Sequence, residues 1–151
     1  MIYFDNAATT RAADEVAEKV KHMLLENFGN PSSQSMMGVN AEKEMNEARK
    51  IMAQSINALP EEIYFTSGGT EDDNWAIFGT AEGYIRSGKH MITTSIEHPA
   101  VVMPMRHLEE KGWDITILDV DESGYIDIEK LKAAVREDTV LVSTILINNE
   151  T

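Results

Sequence analysis

Phe65-Thr66-Ser67-Gly68-Gly69-Thr70-Glu71-Asp72-Asp73-Asn74 is the stretch on which the fold of this chain turns. The run before it, Glu62-Ile63-Tyr64-Phe65, is short, apolar and aromatic, which predicts a buried strand. Trp75, Phe78, Ala81 and Ile85 follow at three- or four-residue spacing, which predicts an amphipathic helix. Two glycines stand at the join. A strand, a Gly-Gly-Thr turn and a helix aim free backbone N–H groups and a positive helix end at one spot. That is the physics of a phosphate seat, and the Thr70 hydroxyl can add a donor. The plainer reading is a turn and cap with no ligand, since Gly and Thr suit such junctions anyway. Glu71, Asp72 and Asp73 fit the helix dipole unaided and discourage a polyphosphate. No Lys follows the glycines, so this is not a nucleotide P-loop, and one phosphate on a small cofactor suits the site better.

The chain of 151 residues is long enough for one domain with a real core. Its 42% hydrophobic and 26% charged content is that of a soluble globular protein. A formal net charge of -13, from 26 acids against 13 bases, opposes nucleic acid and anionic membrane and fits a cytoplasmic setting. There is no cysteine, hence no disulfide and no thiolate metal site, and no metal site is expected. Met1 to Asp5 carries no signal-peptide pattern, and the apolar run from Val140 to Ile147 is too short to span a bilayer.

Residues Met1 to Arg11 read as a short strand and then a polar segment, Asp5-Asn6-Ala7-Ala8-Thr9-Thr10. A helix is predicted over Ala12–Asn27, broken by Gly29-Asn30-Pro31-Ser32-Ser33 and a loop through Met37-Gly38. A second helix is predicted over Val39–Ala58 with Ala41, Met45, Ala48 and Met52 on one face, the methionines filling the core, and Pro60 closing it. His90–Thr94 and Asp114–Leu118 read as strands, and so does Thr139–Ile147, the most apolar of them. Between them lie a helix from Pro99 to Gly112 and one capped by Asp127. Such alternation predicts an α/β fold, a mainly parallel sheet flanked by helices.

In such sheets ligands gather beyond the carboxyl ends of the strands. Gly69 and Thr70, His98, and Asn148 to Thr151 all fall there. His98 can stack on a planar ligand or move protons, or be a satisfied loop histidine. Asn149 can donate to a ligand oxygen, or be a turn residue. His22, His90 and His107 read as surface residues without a role.

These stretches carry a family resemblance. Tyr3 to Thr10, Gly29-Asn30-Pro31-Ser32-Ser33, Phe65 to Glu71, Asp73-Asn74, Glu97-His98 and Asn148-Asn149-Glu150-Thr151 stand in the order and spacing of the cysteine desulfurases. The chain resembles the N-terminal part of that NifS/IscS-like branch of the class V aminotransferases. The resemblance implies a pyridoxal 5'-phosphate enzyme of fold type I. Residues 1–15 would be an N-terminal segment contributing to the small domain and active site, and residues 16–151 a partial cofactor-binding large domain. It implies that Gly69 and Thr70 hold the cofactor phosphate, that His98 stacks on the ring and serves in acid–base steps, and that Asn149 approaches its phenolic oxygen. Asn6, Ala7, Ala8 and Thr9 lie on the substrate side. The implied reaction converts L-cysteine to L-alanine and an enzyme persulfide, in a cytoplasmic homodimer serving sulfur-acceptor scaffold proteins in iron–sulfur cluster or thio-cofactor assembly.

The departures are as informative. Family members are more than twice this length, and their Schiff-base lysine, their ring-facing aspartate and their sulfur-accepting cysteine lie beyond Thr151. The chain is expected to be a fragment ending just after Asn149, inactive alone, with an apolar sheet edge and face exposed. After Ser33 the family usually has a histidine, where Gln34 stands here. Two alternatives remain at this stage: another class V enzyme, such as a selenocysteine lyase, or a truncated paralogue acting as a non-catalytic binding module.

Overall fold

The computed structural model describes residues 2–150 and divides into two compact units, one ending at Phe65 and one beginning at Thr66.

The first unit is built on two helices, α1 (Asp14–Leu25) and α2 (Met36–Ser55). Asp14 and Glu15 in the first turn of α1 complement the helix dipole. Lys19 reaches across to Glu44 of α2 at 2.5 Å. The second helix starts at Met36, earlier than the expected Val39, because Ser35 caps it by accepting the Gly38 N–H at 3.2 Å. Gly38 is needed where it stands: a Cβ there would lie 2.3 Å from the Ser33 carbonyl oxygen and 2.6 Å from that of Asn30. The Gly29–Ser33 loop thus folds directly onto the first turn of α2. The helix stops at Ser55, before Pro60, which instead opens a single 3-10 turn, Pro60–Glu62.

Three expectations for this unit are corrected. Glu62–Phe65 is not a buried strand: Glu62 ends the 3-10 turn, residues 63–65 belong to no sheet, and Tyr64 is 68% exposed. A strand needs a neighbouring ladder, and none of the described strands supplies one. What steadies the segment is Arg49, whose Nε donates to the Ile63 carbonyl at 3.2 Å and whose guanidinium lies 5.1 Å from the Phe65 ring centre. Nor is there a strand over residues 2–4, and Met1 lies outside the described residues. Met45 and Met52 are not core filler; Gly38, Ala41 and Ala53 are the buried residues of that helix, and Met52 is half exposed. Val16, Val20, Leu24 and Leu25 are likewise exposed along α1.

The second unit is the expected parallel α/β structure. Strands β1 (His90–Thr94), β2 (Asp114–Leu118) and β3 (Thr139–Val142) lie in the order β2-β1-β3, all parallel. Helices α3 (Gly69–Gly83), α4 (Pro99–Glu110) and α5 (Ile128–Ala134) accompany them, α5 capped by Asp127, which accepts from the Glu129 and Lys130 amides. The central strand is buried at every position. Met91 packs with Ile77 and Ala81 of α3, with Val101, Met105 and Leu108 of α4, and with Trp113. Ile115 and Leu141, register neighbours of Met91, complete that layer. Ile117 and Val142, on the outer strands, are close to half exposed, so the sheet carries apolar edges.

Two further corrections fall here. The last strand ends at Val142 and not at Ile147: the Ser143 N–H still reaches the Ile92 carbonyl at 2.9 Å, then the chain leaves the ladder and Leu146 stands 95% exposed. His90 is no surface residue but fully buried. Its Nδ1 meets the Thr139 hydroxyl at 2.7 Å and its Nε2 the Thr116 hydroxyl at 2.8 Å, so one imidazole links all three strands. The Thr139 oxygen also accepts the Arg136 N–H at 2.8 Å, which ties the start of β3 to the same cluster. Burial first, then the Arg136 charge, hold this histidine below its ordinary value, while Asp114 and Asp138 oppose the shift.

Candidate active site

Gly68 makes the junction into α3. Its φ of 153° with ψ of 175° is backbone that essentially only glycine adopts, and it is the N-cap of the helix. A Cβ built at Gly68 or Gly69 meets nothing within 4 Å, so the space over the turn is open. The Glu71 and Asp72 amides close onto the Gly68 carbonyl at 2.9 and 3.2 Å. The Gly69 and Thr70 amides find no acceptor among the described residues. Glu71 reaches back across the turn to Ser67: its Oε2 accepts from both the Ser67 hydroxyl and the Ser67 amide at 2.7 Å, which holds its carboxyl below the ordinary value. Thr66 Oγ1 accepts from the Gly68 amide at 3.3 Å and helps fix the turn.

His98 is the N-cap of α4, with Pro99 at the first helical position. Its Nδ1 accepts from the Ala100 amide at 3.1 Å, so the neutral ring carries its proton on Nε2. Thr70 and His98 line one cavity of about 450 Å³, together with Asn74, Phe78, Met103 and His107. Phe78 and His107 meet edge to face there, ring centres 6.0 Å apart.

One bond across this cavity answers a proline inside a helix. Pro104 has no N–H to give the Ala100 carbonyl, its normal partner in α4. Asn74 of α3 supplies the donor: its Nδ2 reaches the Ala100 oxygen at 3.4 Å and the Thr70 oxygen at 2.8 Å. Sequence reasoning gave Asn74 no role, although it stood in a matched stretch; a proline within a helical pattern was the signal that a carbonyl needed a foreign donor.

Asn149 is exposed in the segment after β3 and is not among the residues lining this cavity. Asn6, Ala7 and Ala8 form an exposed turn in the first unit, where the Ala8 and Thr9 amides donate to the Asp5 carbonyl. A larger cavity of about 540 Å³ in that first unit, bounded by Met23, Met45 and Ile51, is mostly apolar, and Lys19 on its rim is engaged by Glu44. Among the described residues no group of three or more side chains suits a metal ion, and no helix is long and apolar enough to cross a membrane.

The pattern of the family Aminotransferase class-V matches residues 2–151. The chain belongs to the class V aminotransferase family. It is 51% identical over 150 residues to a protein named cysteine desulfurase IscS from Neisseria meningitidis serogroup C, covering 99% of this chain and 37% of that one. The protein of the same name from Methanosarcina thermophila is 47% identical over 149 residues, again 99% of this chain and 37% of the relative. A solved NifS-like protein superimposes with a TM-score of 0.95 at 42% identity, over 99% of this chain and 41% of its own. A structure titled SspA in complex with cysteine does so with a TM-score of 0.92 at 38% identity, over 98% and 43%. This class V chain therefore spans a little over a third of the length of the curated relatives it matches, and its α/β fold is the one the resemblance implied.

Proposed function

We propose that the chain is the N-terminal portion of a pyridoxal-phosphate-dependent cysteine desulfurase, a cytoplasmic homodimer that passes sulfur from L-cysteine to scaffold proteins for iron–sulfur cluster or thio-cofactor assembly. The observation that carries this reading is the open notch at Gly69 and Thr70, whose two amides find no acceptor among the described residues, with Thr70 lining the same cavity as His98. Kinship with relatives named cysteine desulfurase, and with a neighbour solved with cysteine, supports the substrate.

In this reading the Gly69 and Thr70 amides, the Thr70 hydroxyl and the α3 dipole bind the phosphate of the cofactor. His98 packs its ring on the cofactor and serves in acid–base steps, its orientation set by the Ala100 amide that its Nδ1 accepts. Asn149 donates to the phenolic oxygen, and Asn6 to Thr9 lie toward the substrate. The division into residues 1–15 and 16–151 belongs to the same reading. Pyridoxal phosphate supplies an electron sink for bond cleavage in the bound amino acid. The overall change is balanced: L-cysteine and a protein thiol give L-alanine and a protein persulfide, the C–S bond exchanged for an S–S bond. The thiol is not supplied by residues 1–151, which contain no cysteine.

The test uses the full-length protein. It is expected to purify with bound pyridoxal phosphate and to form alanine from L-cysteine, with Thr70→Ala weakening cofactor retention about tenfold, the loss of one charge-assisted hydrogen bond. A full-length protein that binds no pyridoxal phosphate, or that forms alanine from selenocysteine but not from cysteine, overturns the proposal.

A further inference from the structure

Where β3 ends, the side chain of Glu97 takes up a backbone group. After Ser143 the chain leaves the ladder, and the amide of Ile145 is accepted at 2.5 Å by Glu97 Oε1. The same oxygen accepts the Thr94 hydroxyl at 2.9 Å, which fixes the carboxylate on the last residue of β1. Three residues on, Asn148 Nδ2 donates to the Ile96 carbonyl at 2.8 Å, while its Oδ1 accepts the Glu150 amide at 2.7 Å. Asn149 sits inside that turn, between two anchored neighbours. All the anchor points lie in the short link Thr94–Glu97 that leads into His98.

We infer that Glu97 is a positioning residue: with Asn148 it clamps segment 145–150 onto the link before His98, and so sets Asn149 relative to that histidine. A carboxylate suits the task because one oxygen takes two donors, and the acceptor is charged, so the bonds are stronger than neutral ones. Without it the half-buried Ile145 amide loses its acceptor and the segment has no ladder to fall back on. The functional consequence rests on the proposed role of Asn149 at the cofactor; the clamp itself does not.

The experiment uses the full-length protein with Glu97→Ala, Glu97→Gln and Asn148→Ala, followed by hydrogen exchange and by the visible absorption of bound pyridoxal phosphate. Glu97→Ala is expected to speed exchange of the Ile145 and Glu150 amides at least about tenfold, while β1 amides keep their protection. It is also expected to move the pH midpoint of the bound-cofactor band by about half a unit or more, the equivalent of one hydrogen bond lost at the chromophore. Glu97→Gln, which keeps an acceptor oxygen, restores most of both, and Asn148→Ala gives a smaller change of the same sign. Unchanged exchange at Ile145 in Glu97→Ala overturns the clamp. A loosened segment with an unmoved band midpoint overturns the positioning role. Should Glu97→Ala not fold, Asn148→Ala decides by the same two readings. A wild-type protein without cofactor refutes the proposed function instead, and the exchange data still decide the clamp.

Discussion

Replacing His90 by leucine removes a side chain that joins all three strands of the second unit. Thr139 keeps the Arg136 amide as a partner, so that side loses one net hydrogen bond, about 1 kcal/mol. The half-buried Thr116 hydroxyl loses its ring partner, costing about 1–2 kcal/mol. The expected destabilisation at pH 8 is therefore about 2–3 kcal/mol. The pH dependence carries more information. Because the folded-state value of His90 is lowered, the unfolded chain takes up the proton more readily. The contribution is fully present above about 6.5, the ordinary histidine value, and is lost as pH falls through it toward the folded value. Within that window one proton can steepen the stability profile by at most about 1.4 kcal/mol per pH unit. The assay is urea unfolding of the full-length protein between pH 5.5 and 8. Wild type should lose stability toward pH 5.5, and His90→Leu should show a flatter profile. Parallel profiles, or a variant as stable as wild type at pH 8, would falsify the assignment.

Asn74→Ala should cost about 1–2 kcal/mol in the same assay, and less in a Pro104→Ala background, where residue 104 regains an N–H for the Ala100 carbonyl; equal costs in both backgrounds would show that the proline is not what Asn74 compensates. Thr93 is buried with a hydroxyl that finds no partner among the described residues, so Thr93→Val should be neutral or stabilising by about 1 kcal/mol, and a clear loss would mean the hydroxyl is engaged. Gly68→Ala adds a Cβ to open space but in a backbone region alanine avoids, so it should cost about 1–3 kcal/mol of strain and weaken pyridoxal phosphate binding; retained cofactor affinity by titration would count against the notch.

The sheet and its helices were legible because their signals are local. Asp127 caps its helix, Pro99 begins its own, and β1 and β2 stand where their apolar runs do. The failures all concern the surroundings of a residue. The Glu62–Phe65 run has the pattern of a strand, but pattern does not supply a neighbour to pair with. Met45 and Met52 follow helical spacing, but spacing says which residues share a face and not whether anything lies over it. His90 was misjudged because two threonine hydroxyls, from strands distant in sequence, make a buried imidazole tolerable. At the candidate site, Gly69, Thr70 and His98 were visible as chemistry next to strand ends. Asn74 and Glu97 were not, because their work is to satisfy backbone groups that only the folded chain leaves open.

Pro104 makes two positions on different helices answer to each other. While it stands, a side chain at 74 with no donor in reach leaves the Ala100 carbonyl of α4 without its partner and loosens the wall between Thr70 and His98. Replace the proline first and position 74 is released, apart from its tie to its own helix. Sequence drift through this pair therefore has a cheap order and an expensive one, and a lineage that has lost the asparagine should already have lost the proline.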